Sequence, residues 1–421
     1  MDIHEDPVVL PSAPPTQLGP NLTLQPPLSR RGHGPGLLLV LSDNIALDKT
    51  KETVDPPPVL KWAEEGYAVV EVRIPASATA GSSAPSAVRQ GLEALKELAE
   101  CDVKDKFGLI VYDASILTSE DIVSLSNIPE IVGIASYGED VAIYSNNNNN
   151  SKQPPKLLHL PGNGTTTATP TDDHITIHKY PNAKSPNFVI PQHPDFIPSA
   201  GAMAHTRTLS FLKSKIGGPL FDLEAIWEEH TYFEFGDRSV NKTMATMVQE
   251  PYINSIPTMT GAIGREGVTN FYRNHFIFNS PDDSNLELIS RSISINCIID
   301  EFIFSCTHDQ MMDWLIPAIP ATNRFIQVPM VSVINIRGDR LYHEHLWWDQ
   351  AGLLRQLGLL PEYLPYPYPY PLADDGEAGN DKKYEYKVPV AGVESAEKLR
   401  DEGSVPSSRM IREGVIREAR S

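Results

Sequence analysis

Two histidines and an aspartate near Trp347 have residue types and spacing suited to proton transfer. His343, His345 and Asp349 are separated by two and four positions in a stretch rich in apolar residues. If this stretch is extended, alternate side chains share one face, and all three would lie beside Trp347. An imidazole oriented by a carboxylate is a competent base near neutral pH. We expect His345 and Asp349 to form an acid/base pair in a pocket lined by His343 and Trp347; the alternative is that this face meets solvent.

A third histidine lies at the end of a neighbouring apolar run. His308 shares its extended face with Phe304, so it is a candidate third member of the acid/base centre. The alternative is a core histidine held by a backbone partner. Trp227, Tyr232, Tyr272 and Phe304 are candidate pocket-lining residues, and each fits a packed core equally well.

Metal binding is not expected at these histidines. The spacing of His343 and His345 supplies only two ligands, and a metal site needs a third. His230 lies on the apolar face of a predicted helix, which is typical of a packed histidine. Asp300 and Glu301 are adjacent in sequence and would point to opposite faces of a strand. We therefore expect no metal at these residues.

The candidate residues belong to a region in which predicted helices are followed by predicted strands. Asp222 and Ser239 are typical N-caps of two helices. Long extended segments cover residues 286–297, 299–308, 325–336 and 341–348, and residues 337–339 form a hairpin turn between the last two. Helices followed by antiparallel strands indicate an α+β layer fold.

Residues 221 to 360 resemble the SnoaL-like members of the nuclear transport factor 2 superfamily. The resemblance is carried by Asp313 to Thr322, Val333 to Leu341, His343 to Gln350 and Leu354 to Gly358. It implies a cone formed by a curved antiparallel sheet on helices, with an apolar pocket used for cofactor-independent acid/base chemistry or for binding alone. It also implies a homodimer through residues 286 to 348, with Trp347 or Trp348 as an aromatic anchor.

The first half of the chain has a different pattern, in which short apolar runs alternate with helical segments. Such runs begin at Leu37, Ala68, Phe107, Ile131 and Leu157. Strands of this kind, separated by helices, indicate a parallel sheet covered on both faces. A predicted helix over residues 200–216 ends at Gly217, which marks the domain boundary.

Residues 36 to 218 resemble the dienelactone hydrolase branch of the α/β-hydrolases. The resemblance is carried by the strand order, by Lys61 to Tyr67 and by Ala204 to Lys213. It implies an α/β hydrolase-like fold with a nucleophile, a histidine and an acid at the ends of strands.

The motif that would hold the nucleophile is altered in this chain. Val111 to Ser115 stands where the family has Gly-x-Cys-x-Gly, so Asp113 occupies a degenerate nucleophile position. Pro186 to Phe188 stands where the family has His-Gly-Phe. Because a triad needs all of its members within hydrogen-bond reach, we expect this domain to be inert in ester cleavage.

Charge and composition restrict the partners of the protein. The 421 residues carry a formal net charge of −19, and an acidic surface repels phosphate, so we expect no nucleic-acid partner. No run approaches the roughly 18 apolar residues of a membrane span. Met1 to Leu10 lacks the pattern of a secretory signal, so we expect no membrane association and a cytoplasmic location. The three cysteines are too few for a disulfide framework.

The sequence thus predicts four segments and one main site. The segments are a disordered arm (1–33), the α/β hydrolase-like domain (34–218), the SnoaL-like domain (219–362) and a Pro/Tyr-rich and acidic tail (363–421). The predicted function is cofactor-independent acid/base catalysis on a hydrophobic, oxygenated small molecule. Two alternatives stay open: a non-catalytic binding or dimerisation protein with a pseudo-hydrolase domain, and residual ester or lactone hydrolysis in the first domain.

Overall fold

The structure is a computed structural model that describes residues 9–47, 54–75, 84–138, 153–162, 174–368, 383–412 and 416–419. Within these residues the strands form an eight-stranded sheet, a six-stranded sheet and a small three-stranded sheet. The two larger sheets belong to the two halves of the chain for which the sequence predicts different architectures.

The eight-stranded sheet is built from the apolar runs of the first half. Its strands are β1 (Thr16–Gly19), β2 (Leu22–Gln25), β3 (Gly36–Ser42), β4 (Ala68–Ile74), β5 (Phe107–Val111), β6 (Ile131–Tyr137), β7 (Lys156–Pro161) and β8 (Ile175–Tyr180). Their order is β1-β2-β4-β3-β5-β6-β7-β8; the pairs β1–β2 and β2–β4 are antiparallel, and the other neighbours are parallel. Every residue of β3 is buried, as in a strand covered on both faces, so the predicted parallel sheet is confirmed.

Helices cover both faces of this sheet. Those described are α1 (Pro58–Glu64), α2 (Ala84–Glu97), α3 (Ser119–Ser126) and α4 (Pro198–Ile216). The apolar residues of α2 and α3 pack on one face, and those of α1 and α4 on the other. As predicted, α4 ends at Gly217, whose φ of 92° favours glycine.

The N-terminal segment differs from its prediction. The sequence leads us to expect a disordered arm over residues 1–33, but β1 and β2 add two strands to the edge of the sheet. Leu22 and Leu24 of β2 are both buried. Their spacing of two is the strand signal, and pairing with β4 supplies the burial that a hairpin this short lacks on its own.

The six-stranded sheet is formed by the second half of the chain. Its strands are β9 (Met247–Ser255), β10 (Thr260–Ile263), β11 (Asn285–Ile293), β12 (Cys297–Thr307), β13 (Phe325–Arg337) and β14 (Arg340–Trp348). Their order is β10-β9-β14-β13-β12-β11; β9 and β14 are parallel, and the other neighbours are antiparallel. The four predicted strands and the turn at Gly338 are confirmed, whereas β9 and β10 are not predicted.

The described helices α5 (Leu223–Thr231), α6 (Val240–Ala245) and α7 (Gly264–Phe271) contribute to the core on the inner face of this sheet. Asp222 caps α5 by accepting a hydrogen bond from a backbone N–H, and Ser239 caps α6 in the same way. Both caps agree with the prediction.

The C-terminal segment also differs from its prediction, which was a tail without a core over residues 363–421. Its described elements, with the helix before it, are α8 (Gln350–Gln356), β15 (Tyr363–Tyr366), β16 (Tyr384–Lys387), α9 (Glu394–Arg400), α10 (Arg409–Arg412) and β17 (Ile416–Glu418). The strands form the three-stranded sheet, and α9 packs against β13 with Ala396 fully buried. The larger sheet therefore supplies the packing surface that this segment cannot build alone.

Two further expectations concern the chain as a whole. In the described ranges, no helix combines the length and the apolar character needed to cross a membrane. Cys101, Cys297 and Cys306 are all free thiols, in agreement with the absence of a predicted disulfide framework.

Candidate functional site

A cavity of about 370 Å³ lies between α5 and the inner face of the six-stranded sheet. Its aromatic lining residues include Trp227, Tyr232 and Phe304, and its charged lining residues include Glu234, Arg291, Asp300 and Glu344. This volume suits a small molecule. A larger groove of about 750 Å³ lies beside residues 26–32, and its charged lining residues are partly exposed. In the smaller cavity, by contrast, the charged residues Glu234, Asp300 and Glu344 are buried.

Strand β14 brings Glu344 to the floor of the cavity. Because side chains alternate along a strand, Glu344 and Leu346 face inward, and both line the cavity. Glu344 is only 6% exposed, although glutamate is rarely buried without a partner. A buried carboxyl group therefore lies beside the apolar residues Leu346 and Trp348 on the inner face of β14.

Helix α5 supplies the neighbours of this carboxyl group. The helix continues into a π-helical turn, Tyr232–Gly236, and such turns are frequent at functional sites. His230 and Glu234 are four positions apart, and Nε2 of His230 lies 3.1 Å from Oε1 of Glu234. The same Nε2 lies 3.1 Å from the hydroxyl of Tyr272. These three residues and Glu344 are all buried, and we call them the floor cluster.

The hydroxyl of Thr246 sets the tautomer of His230. Oγ1 of Thr246 donates to the carbonyl of Thr243 at 2.7 Å, so its single proton is already used. Its contact with Nδ1 of His230 at 2.6 Å is therefore one in which the ring N–H donates. The neutral ring carries its lone pair on Nε2, so His230 can accept a proton on the side that faces Glu234.

The two carboxyl groups of the floor cluster influence each other strongly. Burial and the nearby Glu234 raise the pKa of Glu344 well above its usual value. Burial, together with Glu234 and Glu344, also raises the pKa of Tyr272. Two buried carboxyl groups this close cannot both ionise without a compensating cation. Because the pKa of Glu344 is raised, its carboxyl keeps its proton over a wider pH range and can act as a proton donor beside Glu234.

The floor cluster could also hold a metal ion. One ligand atom each from His230, Glu234 and Glu344 lies within 4.8 Å of the others. Imidazole and carboxylate ligands suit divalent transition metals. The prediction of no metal rests on the spacing of His343 and His345 and does not apply to the floor cluster. An experiment on the floor cluster therefore has to distinguish proton transfer from metal binding.

The charged residues on the opposite wall of the cavity are paired with each other. Arg291 donates to Oδ1 of Asp300 at 2.8 Å and to Oδ2 at 2.9 Å. The indole N–H of Trp227 also donates to Oδ2 of Asp300, at 2.8 Å. Arg291 forms ion pairs with Glu224 and Glu228 as well. Both oxygens of Asp300 are thus occupied, and the group joins α5 to β11 and β12.

Four of the residues singled out as pocket lining lie at or next to this cavity. Trp227 and Phe304 form buried parts of its wall, and Tyr232, which is 60% exposed, lies at its mouth. Tyr272 contacts His230 and is part of the floor cluster rather than the lining.

His343, His345 and Trp347 lie on the other face of the sheet, so their assignment to the pocket is corrected. The ring of His345 contacts the rings of His343, Trp347 and Tyr252. Trp347 is 37% exposed. The reason is the alternation of β14, in which the inner face is taken by Glu344, Leu346 and Trp348.

The expected acid/base pair of His345 and Asp349 does not form. Asp349 follows the end of β14 and caps α8, where its Oδ1 accepts from the backbone N–H of Ala351 at 3.0 Å. Because its carboxylate serves the helix terminus, it cannot orient an imidazole on the sheet. This correction removes His345 and Asp349 as the centre of the site.

His308 is a packed residue, as in the alternative considered for it. It is fully buried, and its Nδ1 lies 3.0 Å from Oγ1 of Thr322. Phe304 lines the cavity but His308 does not, because β12 ends at Thr307 and the chain turns away from the sheet. Its assignment as a third catalytic residue is therefore corrected.

Asp113 follows β5 at the place of the degenerate nucleophile. Its Oδ1 accepts hydrogen bonds from the backbone N–H of Ser115 at 2.9 Å and from the Ser115 hydroxyl at 2.6 Å. Its backbone is extended, with a φ of −148°, rather than in a strained elbow. The side chain therefore serves as a cap of the short helix that follows.

The main residues of the floor cluster are not predicted from the sequence. His230 is predicted to be a packed residue, and Glu234 and Glu344 are not predicted as site residues. The sequence does contain a signal for Glu344. It is spaced by two from Leu346 and again by two from Trp348, so it is a lone carboxylate on an apolar face of the strand. The signal for Glu234 is its spacing of four from His230.

No family model and no curated protein matches this chain. Among solved structures, the chain is similar to a hypothetical protein with a ketosteroid isomerase-like fold from Catenulispora acidiphila, in complex with trimethylamine. The identity is 13% and the TM-score 0.26, over 32% of this chain and 93% of that one. It is also similar to TsrD from Streptomyces laurentii, at 19% identity and a TM-score of 0.28, over 34% of this chain and 100% of that one.

A third similar structure is a protein described as a SnoaL-like polyketide cyclase from Jannaschia sp. CCS1. The identity is 11% and the TM-score 0.28, over 34% of this chain and 100% of that one. The three similarities therefore cover about a third of this chain. At such TM-scores they carry no argument about its activity, which has to be argued from its own residues.

Proposed function

We propose that residues 219–362 form a SnoaL-like domain that performs acid/base chemistry on a hydrophobic, oxygenated small molecule without a cofactor. The observation that carries this proposal is the pair of buried carboxyl groups, Glu234 and Glu344, which face one cavity and have His230 beside them. A six-stranded sheet packed on helices around that cavity supports the cone architecture.

In this proposal Glu344 is the acid and Glu234 is the base. Glu344 keeps its proton because it is buried near another carboxyl group, so it can donate that proton to a carbonyl oxygen of the ligand. Glu234 accepts a proton from the carbon next to that carbonyl, which leaves an enol. His230 and Tyr272 position Glu234: Nε2 of His230 lies 3.1 Å from Oε1 of Glu234 and 3.1 Å from the hydroxyl of Tyr272.

The lining of the cavity favours a neutral ligand. Seven of its 21 lining residues are aromatic, and the one cationic side chain in the lining, Arg291, is engaged by three carboxylates. A ligand carboxylate would meet the acidic floor without a free positive partner, and burying an unpaired charge is costly. We therefore expect a ketone or a similar neutral oxygenated ring compound.

A neutral bicyclic ketone, 1-tetralone, tests the proposal without knowledge of the natural ligand. Proton NMR in D₂O measures exchange of the protons next to its carbonyl group. We expect Glu344→Gln to slow the protein-catalysed exchange about 10²–10⁴-fold, the usual effect of removing a general acid. Glu301→Gln is the matched control. It is also a change of glutamate to glutamine, but Glu301 lies on the outer face of β12. Equal exchange by wild type and Glu344→Gln would refute the assignment.

The same assay separates the alternatives. Protein treated with EDTA should keep its full exchange rate; loss of activity and its return with Zn²⁺ would show that the floor cluster acts through a metal. Binding of 1-tetralone without any catalysed exchange would support the non-catalytic binding protein instead.

We further propose that residues 34–218, with β1 and β2, are a hydrolase-like scaffold inert in ester cleavage. The parallel sheet supports the resemblance, and the capping role of Asp113 supports the loss of the nucleophile. Asp113→Asn should leave any hydrolysis of 4-nitrophenyl acetate unchanged. A loss of hydrolysis in a folded variant would instead favour the residual hydrolase.

The predicted homodimer through residues 286–348 stays a proposal. Trp347, Val331 and Ile299 lie on the outer face of the sheet with exposed fractions of 37%, 36% and 43%. Aromatic and apolar residues in such a patch suit an interface. Sedimentation at micromolar concentration should show a dimer for the wild type and a monomer for Trp347→Ser; a monomeric wild type would count against it.

A further inference from the structure

Arg30, in the N-terminal segment of the first domain, contacts two separate elements of the second domain. Its Nη1 lies 2.7 Å from Oε2 of Glu229 on α5. Its Nη2 donates to the carbonyl of Asp339 at 3.0 Å, and its backbone N–H donates to Oδ1 of Asp339 at 3.1 Å. One side chain therefore joins α5 to the turn from which β14 starts.

These two elements carry the floor cluster. Glu229 is followed directly by His230, and Glu234 lies in the π-helical turn at the end of the same helix. Asp339 is five residues before Glu344, which belongs to β14. The distance between the acid and the base thus depends on how α5 is held relative to the start of β14.

The first domain fixes the turn itself on several sides. The backbone N–H of Gly338 donates to Oε2 of Glu65 at 3.2 Å, and Arg340 donates to the carbonyl of Leu28 at 2.7 Å. A Cβ on Gly338 would lie 2.1 Å from the carbonyl oxygen of Glu64. The turn is therefore seated tightly on the first domain, and Arg30 extends that contact to α5.

We propose that Arg30 is a positioning residue, through which the first domain sets the separation of Glu344 from Glu234 and His230. The inference rests on the acid/base function proposed above and gives the catalytically inert domain a role in it. Small misplacements of reacting groups reduce rates strongly. Arg30 and Glu229 are about one third exposed, at 33% and 38%, so their ion pair contributes little to overall stability.

The test replaces the guanidinium and keeps the apolar stem. Arg30→Met should lower kcat for 1-tetralone exchange about tenfold and leave KM within about twofold, because positioning acts on the reacting groups rather than on ligand contacts. Arg30→Lys should restore part of kcat, since an ammonium can still pair with Glu229 but lacks the fork that also reaches Asp339. Arg31→Met is the matched control, because the Arg31 side chain stacks on Phe221 and does not contact α5.

A second variant and a second measurement keep the outcome unambiguous. Glu229→Gln removes the acceptor on α5, and its effect on kcat should not add to that of Arg30→Met if both act through one contact. Titration of the Glu344 carboxyl by ¹³C NMR should shift in Arg30→Met, a result that does not depend on the exchange assay and so separates this inference from the proposed function. Unchanged kcat and an unchanged titration in Arg30→Met, or additive effects of the two variants, would overturn the proposal.

Discussion

Two groups of charged residues in the described part of the chain differ in how their carboxylates are compensated. The first, the interdomain cluster, consists of Asp55, Lys61, Glu64, Glu65, His205 and Arg337. In it, Arg337 lies 2.6 Å from Asp55 and 2.7 Å from Glu64, and His205 lies 2.7 Å from Glu65. In the floor cluster, Glu234 and Glu344 share His230 and have no Lys or Arg within ion-pair distance in the described chain.

The pKa values of Asp55 and Glu65 in the interdomain cluster shift in the opposite direction to that of Glu344 in the floor cluster. Burial alone would raise the pKa of Asp55, but Lys61 and Arg337 lower it below the usual range. The pKa of Glu65 is also lowered, against burial, by its hydrogen bond with His205. Burial and Glu234 instead raise the pKa of Glu344. Compensated charges hold two domains together, whereas an uncompensated pair keeps a proton available for chemistry.

The largest expected effect is that of Glu234→Gln on catalysis. Removal of the neighbouring charge should bring the pKa of Glu344 closer to its usual value and remove the base, so the exchange rate should fall about 10²–10⁴-fold. The measurement is 1-tetralone exchange by NMR. A variant that retains the wild-type rate would show that Glu234 is not the proton acceptor.

The matching change in the interdomain cluster should affect stability. Arg337→Leu leaves the carboxylates of Asp55 and Glu64 buried without this cation, and breaking a buried pair in this way costs about 3–5 kcal/mol. Urea unfolding of both variants would measure it. The contrast between the clusters would be lost if Arg337→Leu and Glu234→Gln lowered the free energy of unfolding equally.

The two clusters should also respond to pH with opposite signs. Because the pKa values of Asp55 and Glu65 are lowered by folding, their contribution is present above the usual carboxyl range and lost as the pH falls through their folded values. Because the pKa of Glu344 is raised, its contribution is present below the usual value and lost as the pH rises through the folded value. Unfolding free energies of wild type and Glu344→Gln should therefore converge at acidic pH and diverge at alkaline pH, with the variant more stable there. Parallel curves would contradict this.

The smallest effect is expected for His345→Ala on the outer face of β14. This residue contacts other rings and is separated from the cavity by the sheet, so the exchange rate should change by less than about twofold, as for a surface residue. A rate loss comparable to that of Glu344→Gln, with an intact fold, would return the catalytic centre to the outer face.

Much of the second domain could be predicted because its strands are long and end at clear turns. The extended segments ending at His308 and beginning at Phe325 correspond closely to β12 and β13. Strand β9 was missed because it contains Pro251 and pairs in parallel with β14, a contact distant in sequence. The edge strands β1 and β2 were missed because their stability depends on β4.

The candidate residues His343 and His345 lie on β14, the strand that also carries Glu344, but on its opposite face. Because side chains alternate along β14, His343 and His345 must lie on the face opposite to Glu344. The alternation alone does not show which of the two faces meets the cavity. His343 and His345 were chosen because imidazole is a common acid/base group. The apolar residues Leu346 and Trp348, which alternate with them, indicate the inner face of the strand. The approach of α5, which brings His230 and Glu234 to Glu344, depends on tertiary packing that local spacing does not contain.

The proposed role of Glu344 as the general acid can be tested by measuring the protonation state of its carboxyl group. Carboxyl ¹³C NMR of protein labelled at glutamate Cδ, with Glu344→Gln to assign the signal, gives the titration of this one group. We predict a carboxyl that ionises well above the usual range of glutamate, because burial and the nearby Glu234 raise the pKa of Glu344. A Glu344 signal that titrates at or below the usual glutamate value would contradict it.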